Sequence, residues 1–149
     1  MQMRALFADS IANRNLCPGA DSVDEWLDKT WVEIPVGQLL IPVFPVWVIK
    51  SALIAHDAHH VLTGYATTLK GELELAAWEL ASGGCRWSPI FWLDRLTLFA
   101  LGLIFHPLAT ARALRSGWGC RNLYGMSVRQ ILAADVQALR ERMRLAPID

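Results

Sequence analysis

Three of the chain's four histidines, His56, His59 and His60, fall within five positions, with Asp57 among them. On a helix successive residues turn by about 100°. His56 and His60 then stand almost above one another, and Asp57, three before His60, flanks the same face. Imidazole and carboxylate together are donors for zinc and other divalent ions. His59 projects away from His56 and is read as a supporting or surface residue. Glu72 follows, after Gly64 and Gly71. Those glycines, with Thr63, Thr67 and Thr68, predict a loop that returns the chain and a new helix starting near Glu72. Glu72 then lies in the first turn of that helix, facing the histidines. The expected metal ligands are His56, Asp57, His60 and Glu72, with Asp57 as a fourth ligand or as a base. Zinc is the ion expected from this donor set, with iron, magnesium and manganese as alternatives.

The elements that must hold these residues read mostly as helix. Ser22 with Glu25 and Ser127 with Gln130 have capping-box spacing, the second before a periodic stretch through Leu139. Ser88-Pro89 predicts an N-cap followed by proline at the first helical position, and Gly83-Gly84 ends the helix before it. Pro35, Pro42 and Pro45 exclude an uninterrupted helix over Trp31 to Val48, and the Val/Ile content there suits a short hairpin about Gly37-Gln38. After Pro45 a helix runs through Lys50 into the histidines. The chain shows no repeat, no low-complexity segment and no linker. A length of 149 residues fits one domain. The expected fold is therefore mainly α: a single helical domain over residues 1–149 with a short β-hairpin near residues 31–44.

Hydrophobic residues make up 54% of the chain and charged residues 19%, an apolar balance. A formal net charge of zero gives no reason to expect nucleic acid. Acids prevail in residues 1–33 and arginines in residues 112–149, the latter suited to anionic lipid or to a solvated helix face. Cys17, Cys85 and Cys120 are far apart and odd in number, which argues for a reducing compartment and against a disulfide framework or a zinc ribbon. Residues 1–20 show no basic-then-apolar leader, so no signal peptide is expected. The uncharged run from Leu96 to Phe105 is too short to span a bilayer, which takes about 20 apolar residues. A buried core helix and a helix lying in a lipid interface both fit it.

Several known sites share fragments of the histidine cluster. HDAHH matches the HxxHH box of membrane di-iron desaturases, which need about eight imidazoles; this chain has four. HDxxH is similar to the HExxH of zinc proteases, but Asp is one methylene shorter as a base. A phosphohydrolase of the His-Asp type needs a histidine upstream of His56, and the chain has none there. The full pattern, His56, Asp57, His60, eleven residues and Glu72, resembles the signature of the coenzyme Q (ubiquinone) biosynthesis family, the fourth Coq protein in yeast naming. HVLTGYATTLKGELELAAWE reads like that family's segment, Gly64 and Gly71 included. Pro107, the Arg115–Gly117 helix end and LRERMRLAP resemble its tail. The resemblance spans roughly Trp31 to Pro147.

That resemblance implies a helical fold, a divalent metal at the motif and a hydrophobic pocket for a polyprenyl chain. It also implies peripheral membrane attachment, here on the inner face of the cell membrane of a bacterial-type relative, with the protein otherwise cytoplasmic. The implied function is isoprenoid quinone biosynthesis, with metal-dependent, oxidative decarboxylation at ring C1 of a polyprenylated benzoate. The alternative is a non-catalytic metal- and lipid-binding scaffold for other quinone-biosynthesis proteins; a zinc-dependent hydrolase is a further alternative. Phe44 to Ile54 and Phe91 to Phe105 offer apolar lining, each buried CH₂ contributing about 0.8 kcal/mol. Arg112, Arg115 and Arg121 are the residues expected to meet a carboxylate or phosphate headgroup, a solvated helix face being the other reading of each. A homodimer is among the assemblies this allows.

Overall fold

The computed structural model describes residues 1–12, 22–28, 31–36, 39–45 and 50–145, the two strands by their backbone. The turn at Gly37-Gln38, Cys17, Pro147 and the apolar side chains of Phe44 to Val48 lie outside the described residues. Eight helices are described: α1 (Met3–Ala12), α2 (Val23–Asp28), α3 (Lys50–Thr63), α4 (Leu69–Ala81), α5 (Pro89–Phe105), α6 (Pro107–Gly117), α7 (Val128–Ala133) and α8 (Val136–Met143). Between α2 and α3, β1 (Trp31–Val36) and β2 (Leu39–Pro45) pair antiparallel, Trp31 opposite Pro45 and Val36 opposite Leu39. The mainly helical fold and its hairpin are those expected from the sequence.

Local chemistry sets most helix ends. The Ser22 hydroxyl accepts from the Glu25 amide at 3.1 Å. Ser88 caps α5 through the Phe91 amide, ahead of Pro89. Ser127 and Gln130 form a reciprocal capping box on α7. The periodic stretch after Ser127 is nevertheless two helices. α7 stops at Ala133, and Asp135 caps α8 by accepting from the amides of Gln137 and Ala138. A second cap inside a periodic run, here Asp135 eight residues after Ser127, gives the chain an alternative to continuing the helix.

α3 runs through the interior and packs on α1, α7 and α8, while α4 packs on α5 and α6. Phe7, Ile54, Leu62, Leu75, Trp78, Leu123 and Ile131 join these layers in one core cluster. α5 and α6 touch closely where a Cβ at Gly102 would lie 2.6 Å from Thr110 Oγ1. Core burial is not the fate of α5. Among its residues only Phe91 and Gly102 are buried. Leu93, Ile104 and, at the start of α6, Leu108 are 74%, 70% and 76% exposed. No described helix is long and apolar enough to cross a membrane.

Candidate metal centre

Two helices and the loop between them build the site. α3 presents His56 and His60 one turn apart, and the chain then reverses over Gly64 to Thr68. Thr68 caps α4, accepting from the Gly71 amide at 3.3 Å. Gly71 lets the loop close on the helix, because a Cβ there would lie 1.8 Å from the Ala66 carbonyl oxygen. Glu72 thereby falls in the first turn of α4, where the helix dipole favours a negative charge.

His56, His60 and Glu72 form a group able to hold a metal ion. The two Nε2 atoms lie 3.2 Å apart. Glu72 Oε2 is 3.3 Å from His56 Nε2, and Oε1 is 3.0 Å from His60 Nε2. Ligands at about 2.0–2.1 Å from a tetrahedral zinc lie about 3.3 Å from one another. The spacing therefore fits a small divalent ion without rearrangement. Proton positions fit as well. His60 Nδ1 donates to the Tyr65 carbonyl at 2.9 Å and His56 Nδ1 to Glu79 Oε1 at 3.0 Å, so in the neutral rings both Nε2 atoms bear lone pairs. Two lone pairs and a carboxylate facing one another call for a cation.

Electrostatics say the same. Burial, the largest single influence, pulls the His56 pKa down and Arg95 adds to it, but the Glu79 charge and the Glu72 and Glu79 hydrogen bonds together outweigh them, and the imidazolium persists to about 10. Burial pushes the Glu72 carboxyl up, yet its bonds to His56 and His60 hold it well below the usual carboxylate range. Without a metal, a proton on His56 takes the cation's place.

Behind the ligands lies a largely buried cluster centred on Glu79, whose side chain has 0% exposure. Its Oε1 accepts from His59 Nδ1 at 2.7 Å and from the Tyr124 hydroxyl at 2.5 Å, besides His56. Its Oε2 accepts from Arg95 Nη1 at 3.1 Å. Arg95 also pairs with Asp94. Burial raises the Glu79 carboxyl, but the charge and hydrogen bond of His56 bring it well below its ordinary value. Burial lowers the His59 pKa, which suits a neutral ring whose Nε2 accepts from the Leu123 amide at 2.9 Å. Burial and the neighbouring Glu79 keep Tyr124 protonated well above the usual phenol range.

A cavity of about 240 Å³ opens beside His56, walled by Ala52, Leu53, Ile90 and Phe91 with Ser88, Asp94, Arg95 and Tyr124. A second, of about 430 Å³, reaches His60 past Ser10, Tyr65, Thr67 and Thr68.

Of the residues expected from sequence, His56, His60 and Glu72 converge. Asp57 is half-buried on α3 and is not one of the three whose ligand atoms meet. Arg112 and Arg115 are exposed on α6, and Arg121 borders a separate cavity with Asn122 and Tyr124. The cation beside His56 is Arg95. His59, placed by projection in a supporting or surface position, is fully buried and supports Glu79. Sequence reasoning missed Glu79, Arg95 and Tyr124. Glu79 follows Glu72 by two helical turns, which puts both on one face of α4 and was a readable signal; Arg95 and Tyr124 carried none. Comparison of the chain with family models, curated proteins and solved structures finds no match to any of the three.

Proposed function

We propose that this chain is an isoprenoid quinone biosynthesis protein that removes the C1 carboxyl from a polyprenylated benzoate at a divalent metal, zinc by its ligand set. The observation that carries the reading is the convergence of two imidazole nitrogens and one carboxylate beside an apolar cavity. Three protein ligands and an open position are the pattern of catalytic rather than structural zinc. The likeness of the His56, Asp57, His60 and Glu72 spacing to the coenzyme Q biosynthesis motif supports the choice of substrate.

When bound, the metal supplies a Lewis acid that stabilises negative charge on the substrate. His56, His60 and Glu72 hold it. Leu53, Ile90 and Phe91 exclude water and take the apolar part of the ligand. Asp57, next to His56, handles the proton: loss of carbon dioxide leaves an electron pair on ring carbon, which a proton takes up. The oxidative version would need a redox-active ion such as iron in place of zinc, or a partner enzyme: dioxygen would give one oxygen atom to that carbon, and the other would leave as water with two electrons from an external reductant and two protons. Leu93, Leu96, Ile104, Phe105 and Leu108, exposed on α5 and α6, would contact the lipid interface, with Arg112 and Arg115 near anionic headgroups.

That same exposed face favours a second reading, a non-catalytic scaffold that binds metal and lipid and recruits partner proteins. The test is to incubate the metal-loaded protein with a polyprenylated hydroxybenzoate and follow carbon dioxide release by mass spectrometry. Turnover by wild type, absent in Glu72→Ala and reduced in Asp57→Asn with its metal retained, is expected. Bound metal and bound lipid without turnover would favour the scaffold.

A further inference from the structure

The two histidines of the centre are oriented by different means. A main-chain carbonyl, that of Tyr65, fixes His60, whereas a side-chain carboxylate, that of Glu79, faces His56. We propose that Glu79 is the positioning residue of the metal centre: by accepting the His56 Nδ1 proton it makes Nε2 the nitrogen that is aimed at the metal and gives up its proton to it. The proposal rests on the metal reading above.

His56 Nδ1 has two rivals for its single hydrogen-bonding role. It lies 3.0 Å from Glu79 Oε1 and 3.2 Å from Arg95 Nη1. Facing the carboxylate, it must donate, and in the neutral ring Nε2 is then free to bind. Facing the guanidinium, it must accept, and the ring proton moves to Nε2, where it blocks the metal's position. Glu79 settles the contest in favour of binding.

Glu79 is itself held from several sides. His59 Nδ1 and the Tyr124 hydroxyl donate to the same oxygen that faces His56, and Arg95 donates to the other. His59 has no alternative, because its Nε2 already accepts from the Leu123 amide. The carboxylate cannot turn away without breaking these bonds. An apolar residue would fill this space at lower desolvation cost. A carboxylate placed behind a metal-binding imidazole typically improves metal affinity by about 10–100-fold.

The test is Zn²⁺ affinity by competition with a chromophoric chelator, with the visible absorption of bound Co²⁺ as a report on coordination. Glu79→Gln keeps the shape but offers an NH₂ that can donate to Nδ1. It is expected to weaken Zn²⁺ by about 10–100-fold and to change the Co²⁺ spectrum. Arg95→Met and Tyr124→Phe disturb the same buried cluster and leave the Glu79–His56 bond in place. They are expected to lower stability and to keep affinity within a few-fold. Equal losses in all three variants, or wild-type affinity in Glu79→Gln, would overturn the positioning role. Wild-type protein that binds no Zn²⁺ would overturn the metal reading itself, a result distinct from either. Should Glu79→Gln not fold, ¹⁵N shifts of His56 in the Zn²⁺-loaded wild type decide: a protonated Nδ1 supports the proposal and a protonated Nε2 overturns it.

Discussion

Glu79, a carboxylate, has no exposed surface, while Leu93 and Leu108, both aliphatic, are about three-quarters exposed, at 74% and 76%. The interior between α3 and α4 is polar where cores are apolar, and the outer face of α5 and the start of α6 is apolar where surfaces are polar. Both depart from the ordinary distribution, but in unlike ways. The inner cluster is satisfied: Glu79, His56, His59, Tyr124 and Arg95 bond to one another, so its desolvation cost is offset locally. The outer face has exposed side chains that water solvates poorly, and only something outside the fold can offset that. A buried polar cluster therefore points to chemistry done within the chain, and an exposed apolar face to contact made beyond it.

The largest effect should come from breaking the inner cluster. Glu79→Ala leaves Arg95 buried with His59 and Tyr124 lacking their acceptor, and removing one partner of such a network costs about 3–5 kcal/mol. Urea denaturation of the metal-free protein checks this, and a loss below about 1 kcal/mol, the scale of an exposed pair, would contradict it. Next in size is a contrast within the apolar residues. Leu75→Ala in the core should cost about 2–5 kcal/mol, whereas Leu93→Glu with Ile104→Glu should stay within about 0.5 kcal/mol per site. The double variant should instead abolish sedimentation with vesicles containing anionic lipid. Unchanged vesicle binding would remove this face from the lipid reading.

The inner cluster also makes a pH prediction. Metal ligands must be deprotonated, so acid competes with the ion. Apparent Zn²⁺ affinity should fall steadily as pH is lowered, and a pH-independent affinity would speak against imidazole ligands. The smallest effect belongs to an exposed pair. The Asp135 carboxyl is held below its ordinary range by its bond to the chain's amino terminus, with the Ala138 and Gln137 amides adding to it. A depressed carboxyl pKa stabilises the fold above the unfolded value and loses that contribution as pH falls through the folded one. Asp135→Asn should therefore flatten the acid limb of the stability curve slightly, as thermal melts between neutral and acid pH would record.

Sequence carried the inner site unevenly. His56 and His60 were legible because four residues make a helical turn, and Glu72 because Gly64, Gly71 and Thr68 mark a turn and a cap. Glu79 lies in plain helical register with Glu72, but nothing in a sequence distinguishes a buried glutamate from a solvated one. Arg95 and Tyr124 reach it from separate elements, and such encounters are set by packing. The outer face was ambiguous for a physical reason: a run of ten uncharged, mostly apolar residues suits a core and an interface equally, and only the placement of α4 and α6 leaves most of them outside. The break before Asp135 shows a local cap prevailing over a continuous apolar period.

The most direct test of the metal centre is native mass spectrometry with elemental analysis of the purified protein, on wild type and His60→Ala. One divalent metal per chain in wild type, lost in His60→Ala with its helical content intact, is the predicted result. Wild type without metal after supplementation, or His60→Ala that keeps its metal, would contradict the assignment of His56, His60 and Glu72 as a metal centre.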